Sequence, residues 1–503
     1  MAAPEIIFKN QPIPKDAHIA ATHKGLHNFT QEFVIKTLCP VHLGCDDVYD
    51  PLSFVLDSQA SELIVFDPSE FLENLSEPDL RKFSDICKEG TLSSIIKIYK
   101  FMRNKRPLGK RVGVCGGFLD HYEKTLGIPE GNQGRIQNEL NRFVIGRTAY
   151  VPTTDRAYIP GSAVKGAIRT AYLNFLAAHK KVNPERGKGK DLEKKLLDGG
   201  AFETDPFRLL KVSDFMPVGE IKTKIVYAVN EKKKPSIHEA GGLYQILETI
   251  EPGSLFVGSI TVEQPEQGAK IANPLTIETL MNSLKLFYSK EKNLENQILQ
   301  NVKIPSHNTD PSDATILRLG RHSGAESLTI EGFRDIRIMQ GRGGQSKFEP
   351  HSTTVWLASD SDKPQNKSSL KPFGWASLSE MAAEEKLKYL ETERMWRSVA
   401  DDERALALQR IQDSMSMLPE RREISATSKP PIPRPPQTET WKGATLTWDP
   451  GPGVLKAQSG TKKAFTKDKE LVPETKRKSL FVKKNTVMCD VEVDGSFKIT
   501  KIE

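Results

Sequence analysis

The chain has 503 residues, a formal net charge of +7 and a sequence pI near 8.9, with 37% hydrophobic and 27% charged residues. That length predicts two to four domains. Apolar blocks recurring throughout exclude a wholly disordered chain, and no apolar run is long enough to predict a transmembrane helix. Met1–His18 carries no apolar signal core, and the five scattered cysteines (39, 45, 87, 115, 489) form no C-x-x-C pair, so reduced thiols in a cytoplasmic protein are expected.

Taken in chain order, residues 1–28 form a polar leader. Alternating apolar residues over 28–43 (Phe29, Phe33, Ile35, Leu38) predict a first strand. Two apolar runs, 52–56 and 63–66, predict a hairpin, and helical spacing follows over 68–102. Residues 103–120, rich in Gly and Arg, are expected to be a loop. Ser162 is expected to cap a helix over 163–178, and the charged stretch 184–200 to be mobile.

Strands are predicted at 209–215, 221–230, 243–251 and 255–263, the middle pair forming a long exposed hairpin with a polar tip at 231–242. A helix over 274–300 should bury Ile277, Leu280, Leu284, Phe287 and Leu294. Glycine-broken strands follow at 316–338, and then an amphipathic helical stretch at 379–418. The proline-rich run 430–436 reads as a stiff linker. The segment 441–503 holds 13 Lys and Arg against 8 Asp and Glu and predicts a small basic β domain. Mild excess basicity favours a polyanionic partner over a membrane surface, because no basic segment carries an apolar stripe.

Three segments carry chemistry. In Tyr158-Ile-Pro-Gly-Ser-Ala-Val-Lys-Gly-Ala-Ile-Arg169, Pro160 and Gly161 turn the chain into a helix whose free N–H groups above Ser162 offer a phosphate site. Lys165 and Arg169 share one helix face, and Gly166 lets a second backbone approach. The same residues also describe an ordinary capped helix with two solvated basic side chains. Leu317-Arg-Leu-Gly-Arg-His-Ser-Gly324 sets Arg318, Arg321 and His322 between glycines, and Gly341-Arg342-Gly343 places another arginine among glycines. Such loops suit a sugar–phosphate backbone, or are simply bulges and turns.

The Tyr-Ile-Pro-Gly-Ser-x-x-Lys-Gly-x-x-Arg run resembles the helix signature of the RAMP superfamily of CRISPR proteins. Thr37-Leu-Cys-Pro-Val-His-Leu-Gly44, Tyr49-Asp-Pro-Leu-Ser53 and the 317–324 run are similar to one branch of it, the subunits that cap the crRNA 3′ end in type III-A (Csm) effector complexes. The motifs anchor the resemblance over about residues 30–345.

The resemblance implies an α+β fold of two ferredoxin-like (RRM-like) domains with helical insertions. The first would span 29–270, with a helical insertion at 68–145 and a hairpin thumb at 221–251. The second would span 271–418; the 68–145 insertion, the linker 419–440 and the β domain 441–503 go beyond the minimal pattern, and the tail after Pro436 resembles no known family. It implies a non-catalytic RNA-binding subunit of a surveillance complex. Its partners would be crRNA, target RNA, the backbone and small subunits of the complex, and host nucleases during crRNA maturation; no cofactor is expected. The expected RNA contacts are His42, Gly44, Gly161, Ser162, Lys165, Gly166, Arg169, Arg318, Arg321, His322 and Arg342.

Two alternatives stay open: an endoribonuclease using His42 or Asp50, and a general RNA-binding protein. Asp46, Asp47 and Asp50 read as solvated loop carboxylates. The Cys39, His42, Cys45 spacing lacks a fourth ligand for zinc, so no metal site is expected.

Overall fold

The computed structural model describes residues 28–502 apart from 51–52, 104–106, 108, 181, 183–188, 200, 238–239, 241–243, 307–314, 340–344, 417–438, 450–453, 461, 467, 483–484 and 495–497. The expected leader, the proline-rich run and Arg342 lie outside these residues. The chain divides into two units, 1–415 and 416–503.

In the first unit, strand Phe29–Thr37 forms where its sequence predicts and stands at the middle of one sheet, but Phe33, Val34 and Ile35 are all buried while Phe29 is exposed, so both faces of its centre are covered. It runs antiparallel to Leu255–Val262 on one side and to Trp375–Glu380 on the other, with Ile35 opposite both Phe256 and Leu378. Helices Gly161–Lys180 and Ile277–Asn301 bury Val164, Ile168, Leu280, Leu284 and Tyr288 against Phe33, Ile35, Phe256 and Trp375.

A second sheet runs in the order Gly44–Val48, Ile145–Thr148, Gln245–Ile250, Thr223–Lys232, Lys110–Val114, Glu62–Val65, Phe54–Asp57. Thr354–Ser359 pairs with the far half of Thr223–Lys232. The inner face of this sheet buries Phe54, Leu63, Val112, Ile225, Tyr227 and Leu357 beneath Tyr99, Phe118 and Tyr122.

The helices of the insertion start where their caps dictate. Asp67 accepts from the N–H groups of Ser69 and Glu70, Ser76 from Asp79, and Thr91 and Ser94 form a reciprocal capping box. Phe66, Phe71, Phe83 and Phe101 then close a satellite core on the outer face of the 54–65 hairpin.

The mixed helix-and-sheet architecture agrees with the expected α+β class, but several local expectations fail. The two sheets interleave along the chain: Thr315–Arg318 and Trp375–Glu380 share a sheet with Phe29–Thr37, so residue 270 separates no structural halves. The 223–250 hairpin is central, not projecting, since Val226, Ala228 and Leu247 are buried. Residues 110–114 form a strand inside the expected 103–120 loop, because Val112 and Val114 alternate into the core. Gly189–Leu196 is a helix that buries Leu196, within the stretch expected to be mobile.

Between 319 and 335 the described chain is loop and one short 3-10 turn rather than strand. Leu294 is 37% exposed, and the end of its helix buries Glu291, Lys292 and Glu295 instead. Helix Ala383–Ser416 leaves Leu387, Leu390, Met395 and Val399 exposed, so its apolar residues form no buried stripe. That helix is held through Glu393, which takes both guanidinium nitrogens of Arg156 (2.6 and 3.0 Å) while Trp396 stacks on the same guanidinium.

Candidate nucleic-acid interface

The segment after the first strand crosses from one sheet to the other, and its backbone groups are nearly all used in doing so. Leu38 and Cys39 N–H both donate to the Trp375 carbonyl, at 2.8 and 3.2 Å, and Gly374 N–H donates to that of Pro40 at 2.9 Å. Val41 and Ile250 exchange both backbone bonds, at 3.1 and 2.8 Å. The 317–324 motif joins the same knot: Arg321 N–H donates to the His42 carbonyl at 2.8 Å. Gly320 adopts φ +79°, and a Cβ there would lie 2.3 Å from the His42 carbonyl oxygen, so only glycine admits the contact. Two motifs far apart in sequence thus form one junction.

Within it, His42 is 1% exposed. Its Nδ1–H donates to the Glu248 carbonyl at 2.7 Å, which leaves Nε2 unprotonated beside Gly44. Burial, aided by the Arg321 charge, lowers its pKa, so the ring is neutral. Beneath it the fully buried Glu248 carboxylate meets Lys110 Nζ at 2.8 Å and accepts the Thr148 N–H at 3.2 Å. Burial pushes this carboxyl up, but the Lys110 ammonium and several hydrogen bonds outweigh it and hold it below its ordinary value. His322, at φ +64°, lies against Trp356 with ring centroids 4.4 Å apart and meets Gln245 at 3.2 Å. Burial, then the charge of Arg321, lowers its pKa to about 4.

Gly44 and Arg321 are exposed at the rim of the junction. Arg318 is not: it is 5% exposed, donates to Glu295 at 2.7 Å and to the Phe373 carbonyl at 2.9 Å, and lies over Trp375. It is a core residue, in a strand that buries Ile316, Leu317 and Arg318 alike. His42, expected as an RNA contact, is likewise sealed from solvent.

The signature helix differs from expectation at its start. It begins at Gly161, so Ser162 lies in the first turn, and the Asp214 carboxylate accepts the Gly161 N–H at 2.8 Å. Gly161 is buried against the 212–213 backbone, where a Cβ would approach Val212 O to 2.3 Å. Its lack of a side chain serves packing within the chain.

Lys165 and Arg169 share a face as the spacing predicts, but both are half-buried and held by partners within the chain. Lys165 Nζ donates to the Leu210 carbonyl at 2.7 Å, and Arg169 pairs with Glu193 and Asp205 at 2.8 and 2.9 Å. Ser162 and Gly166 are exposed, and a Cβ at Gly166 would meet nothing within 4 Å. The helix start and the junction are linked by backbone bonds from Ala149 to Leu43 and from Tyr158 to Ala149, at 2.6 and 3.2 Å.

The remaining candidates are dispersed. Asp50 is exposed, and its carbonyl accepts from Ser53 N–H and Oγ. Asp47 accepts from the Tyr150 hydroxyl at 3.0 Å. Cys39 is buried, its thiol pKa pushed up to about 12 by burial, and the Cys45 thiol donates to carbonyls at 147 and 148. Among the described residues no cluster of three or more His, Cys, Asp or Glu is placed to hold a metal ion. No described helix is long and apolar enough to cross a membrane.

Sequence reasoning missed one large feature. A cleft of about 1330 Å³ opens between helices Gly116–Leu126 and Gln133–Arg142, strand Thr223–Lys232 and residues 362–367. Eight Lys and Arg line it against three carboxylates, so its field is positive. Glu231 is bound to Lys367 and Glu139 to His121, whereas Lys124, Arg135, Arg142 and Lys303 have no carboxylate partner among the described residues. The lining comes from five stretches spread over 117–367, so no local run of charge marks it in the sequence.

The family model described as the RAMP superfamily matches residues 34–304, more than half of the chain. A protein of Methanocaldococcus jannaschii described as CRISPR system Cms protein Csm5 is 26% identical over 241 residues, covering 46% of this chain. The match spans about half, 52%, of that relative's length. A protein of the same description from Streptococcus thermophilus is 25% identical over 320 residues, 60% of this chain and 80% of the relative. Among solved structures, a chain of the type III-A Csm–crRNA–target RNA ternary complex is 18% identical, covers 70% of this chain, is covered in full, and gives a TM-score of 0.47. Matched over residues 34–304, which hold the 38–44 segment and the signature helix, the chain belongs to the RAMP superfamily.

Proposed function

We propose that the chain is a non-catalytic crRNA-binding subunit of a type III-A CRISPR surveillance complex, capping the 3′ region of the guide. Its partners are then crRNA, target RNA, the backbone and small subunits, and the nucleases that trim the guide. The observation that carries this reading is the junction of the 38–44 and 317–324 motifs. It leaves Gly44 and Arg321 at an exposed rim, linked by backbone bonds to the helix that exposes Ser162 and Gly166. An exposed backbone with few side chains and a nearby guanidinium suits close approach of a sugar–phosphate strand. The positive cleft offers the strand a second stretch of phosphate contacts. We read the two sheets as the two ferredoxin-like halves of the superfamily, interleaved along the chain.

For His42 the ribonuclease reading has no observation in its favour. A general base must reach the 2′-hydroxyl it deprotonates, and the unprotonated nitrogen of His42 faces Gly44 inside a sealed junction. Purification of the tagged full chain from a host that encodes the complex tests the proposal. RNA of guide length and other complex subunits should copurify, and Arg321→Glu should reduce the RNA retained. A chain purified without RNA or subunits contradicts it.

A further inference from the structure

The 416–503 unit has a topology that its sequence does not announce. Strand Glu439–Asp449 pairs antiparallel with Val454–Ser459 on one side and with Val487–Val493 on the other. Val454–Ser459 pairs with Lys462–Thr466, and Val487–Val493 with Ile499–Ile502. A parallel bridge between Phe465 and Lys498 brings the third strand to the fifth and closes the barrel. The helical segment Glu474–Arg477, continuing through 478–482, lies between the third and fourth strands and buries Leu480. Five strands in this order, closed in parallel between third and fifth and with a helix after the third, are the OB-fold arrangement. The interior is filled by Trp441, Leu446, Leu455, Ala457, Ala464 and Val491.

On the third strand Ala464 and Thr466 point inward, so Lys463 and Phe465 point outward. Phe465 is 44% exposed and contributes nothing to the barrel core. Its cross-strand partner is Lys456, which faces Thr447 on the first strand, and Lys498 lies on its other side. The neighbouring row runs Met488, Thr445, Gln458, Lys463, with Met488 69% exposed. Lys456 pairs with half-exposed Asp449 at 2.7 Å; Lys463 and Lys498 have no carboxylate partner among the described residues. An outward aromatic ring flanked by cations on this part of an OB barrel matches the chemistry of a stacked base with its phosphates on either side. A protein partner would favour a contiguous apolar patch, and here the apolar residues are separated by lysines and polar side chains.

We propose that the outer face of the first three strands of this barrel, centred on Phe465, is a second binding site for single-stranded RNA. One base stacks on Phe465, and Lys456, Lys463 and Lys498 take the adjacent phosphates. The site reads no sequence, because every base presents a ring face to stack. It stands independently of the junction at residues 42–44.

The test uses the full chain and a short oligouridylate carrying 4-thiouridine, with ultraviolet crosslinking and peptide mapping. A crosslink at Phe465 or its strand neighbours is expected. Phe465→Ala should abolish that crosslink and weaken the oligonucleotide's hold on this site on the order of tenfold. Phe465→Tyr should preserve both. Lys463→Ala should lower the salt slope of this contact by about 0.7. Unchanged circular dichroism keeps the variants comparable. Crosslinks confined to residues 28–415, or a Phe465→Ala chain that crosslinks at 454–466 like the wild type, would overturn the proposal. Crosslinks near 42–44 and 162–166 report the other interface, so either site can fail alone.

Discussion

His42 Nδ1–H donates to the carbonyl of Glu248, 2.7 Å away, while the carboxylate of that same Glu248 meets Lys110 at 2.8 Å. A single residue in the middle of the second sheet therefore fixes both the loop that follows the first strand and the strand edge at Lys110. The histidine that looks like a general base in sequence is in the fold a strut, neutral and turned inward.

Buried His42 and half-buried His322 should make stability depend on pH in a defined window. Folded His322 has a pKa near 4, and that of His42 is also lowered, against about 6.5 in the unfolded chain. Between those values the unfolded chain binds protons that the folded chain does not. Stability is therefore complete above about pH 6.5 and falls as pH drops toward 4. Replacing His322 with Asn, which tolerates its positive φ, should flatten that slope. Urea denaturation at several pH values between 7 and about 4.5 measures it; an unaltered slope in His322→Asn would assign the effect elsewhere.

Arg318→Ala should act on the fold, not selectively on RNA. It removes the partner of buried Glu295, which would then keep only the Trp375 indole N–H of the two contacts. Breaking one side of such a pair costs about 3–5 kcal/mol. Thermal melts run beside binding assays should show both properties lost together. A stable Arg318→Ala chain that merely loses RNA would make this arginine a direct contact.

Gly166→Ala separates stability from binding in the other direction. A Cβ at this position meets nothing, and alanine in a helix interior is favoured over glycine by about 1 kcal/mol. The melting temperature should rise. If a nucleic-acid backbone passes close over this turn, RNA affinity should fall. A rise in both would exclude close approach at Gly166.

The sequence showed its periodic elements well, and its site only in part. The strand at 29–37, the 54–65 hairpin and the helix from Ile277 carry their patterns locally, in alternation or in three- and four-residue spacing. Arg318 and Arg169 could not be placed that way. Whether an arginine faces RNA or a carboxylate depends on Glu295 and Asp205, which arrive from other parts of the chain. The strand at 110–114 hid among glycines and arginines because only two valines mark it. The 317–324 motif was legible as a glycine-rich loop, but its meeting with His42 is a tertiary fact fixed by the space Gly320 leaves.

The most direct measurement is equilibrium binding of guide-length single-stranded RNA to the full chain across a series of salt concentrations, with the RNA recovered and sized afterwards. Binding is expected, with a log affinity that falls linearly with log salt by about 0.7 for each phosphate engaged. The recovered RNA should keep its length, with or without magnesium, if the chain binds the guide without cutting it. No binding at low salt, or RNA shortened in a manner that His42→Ala or Asp50→Ala abolishes, would contradict it.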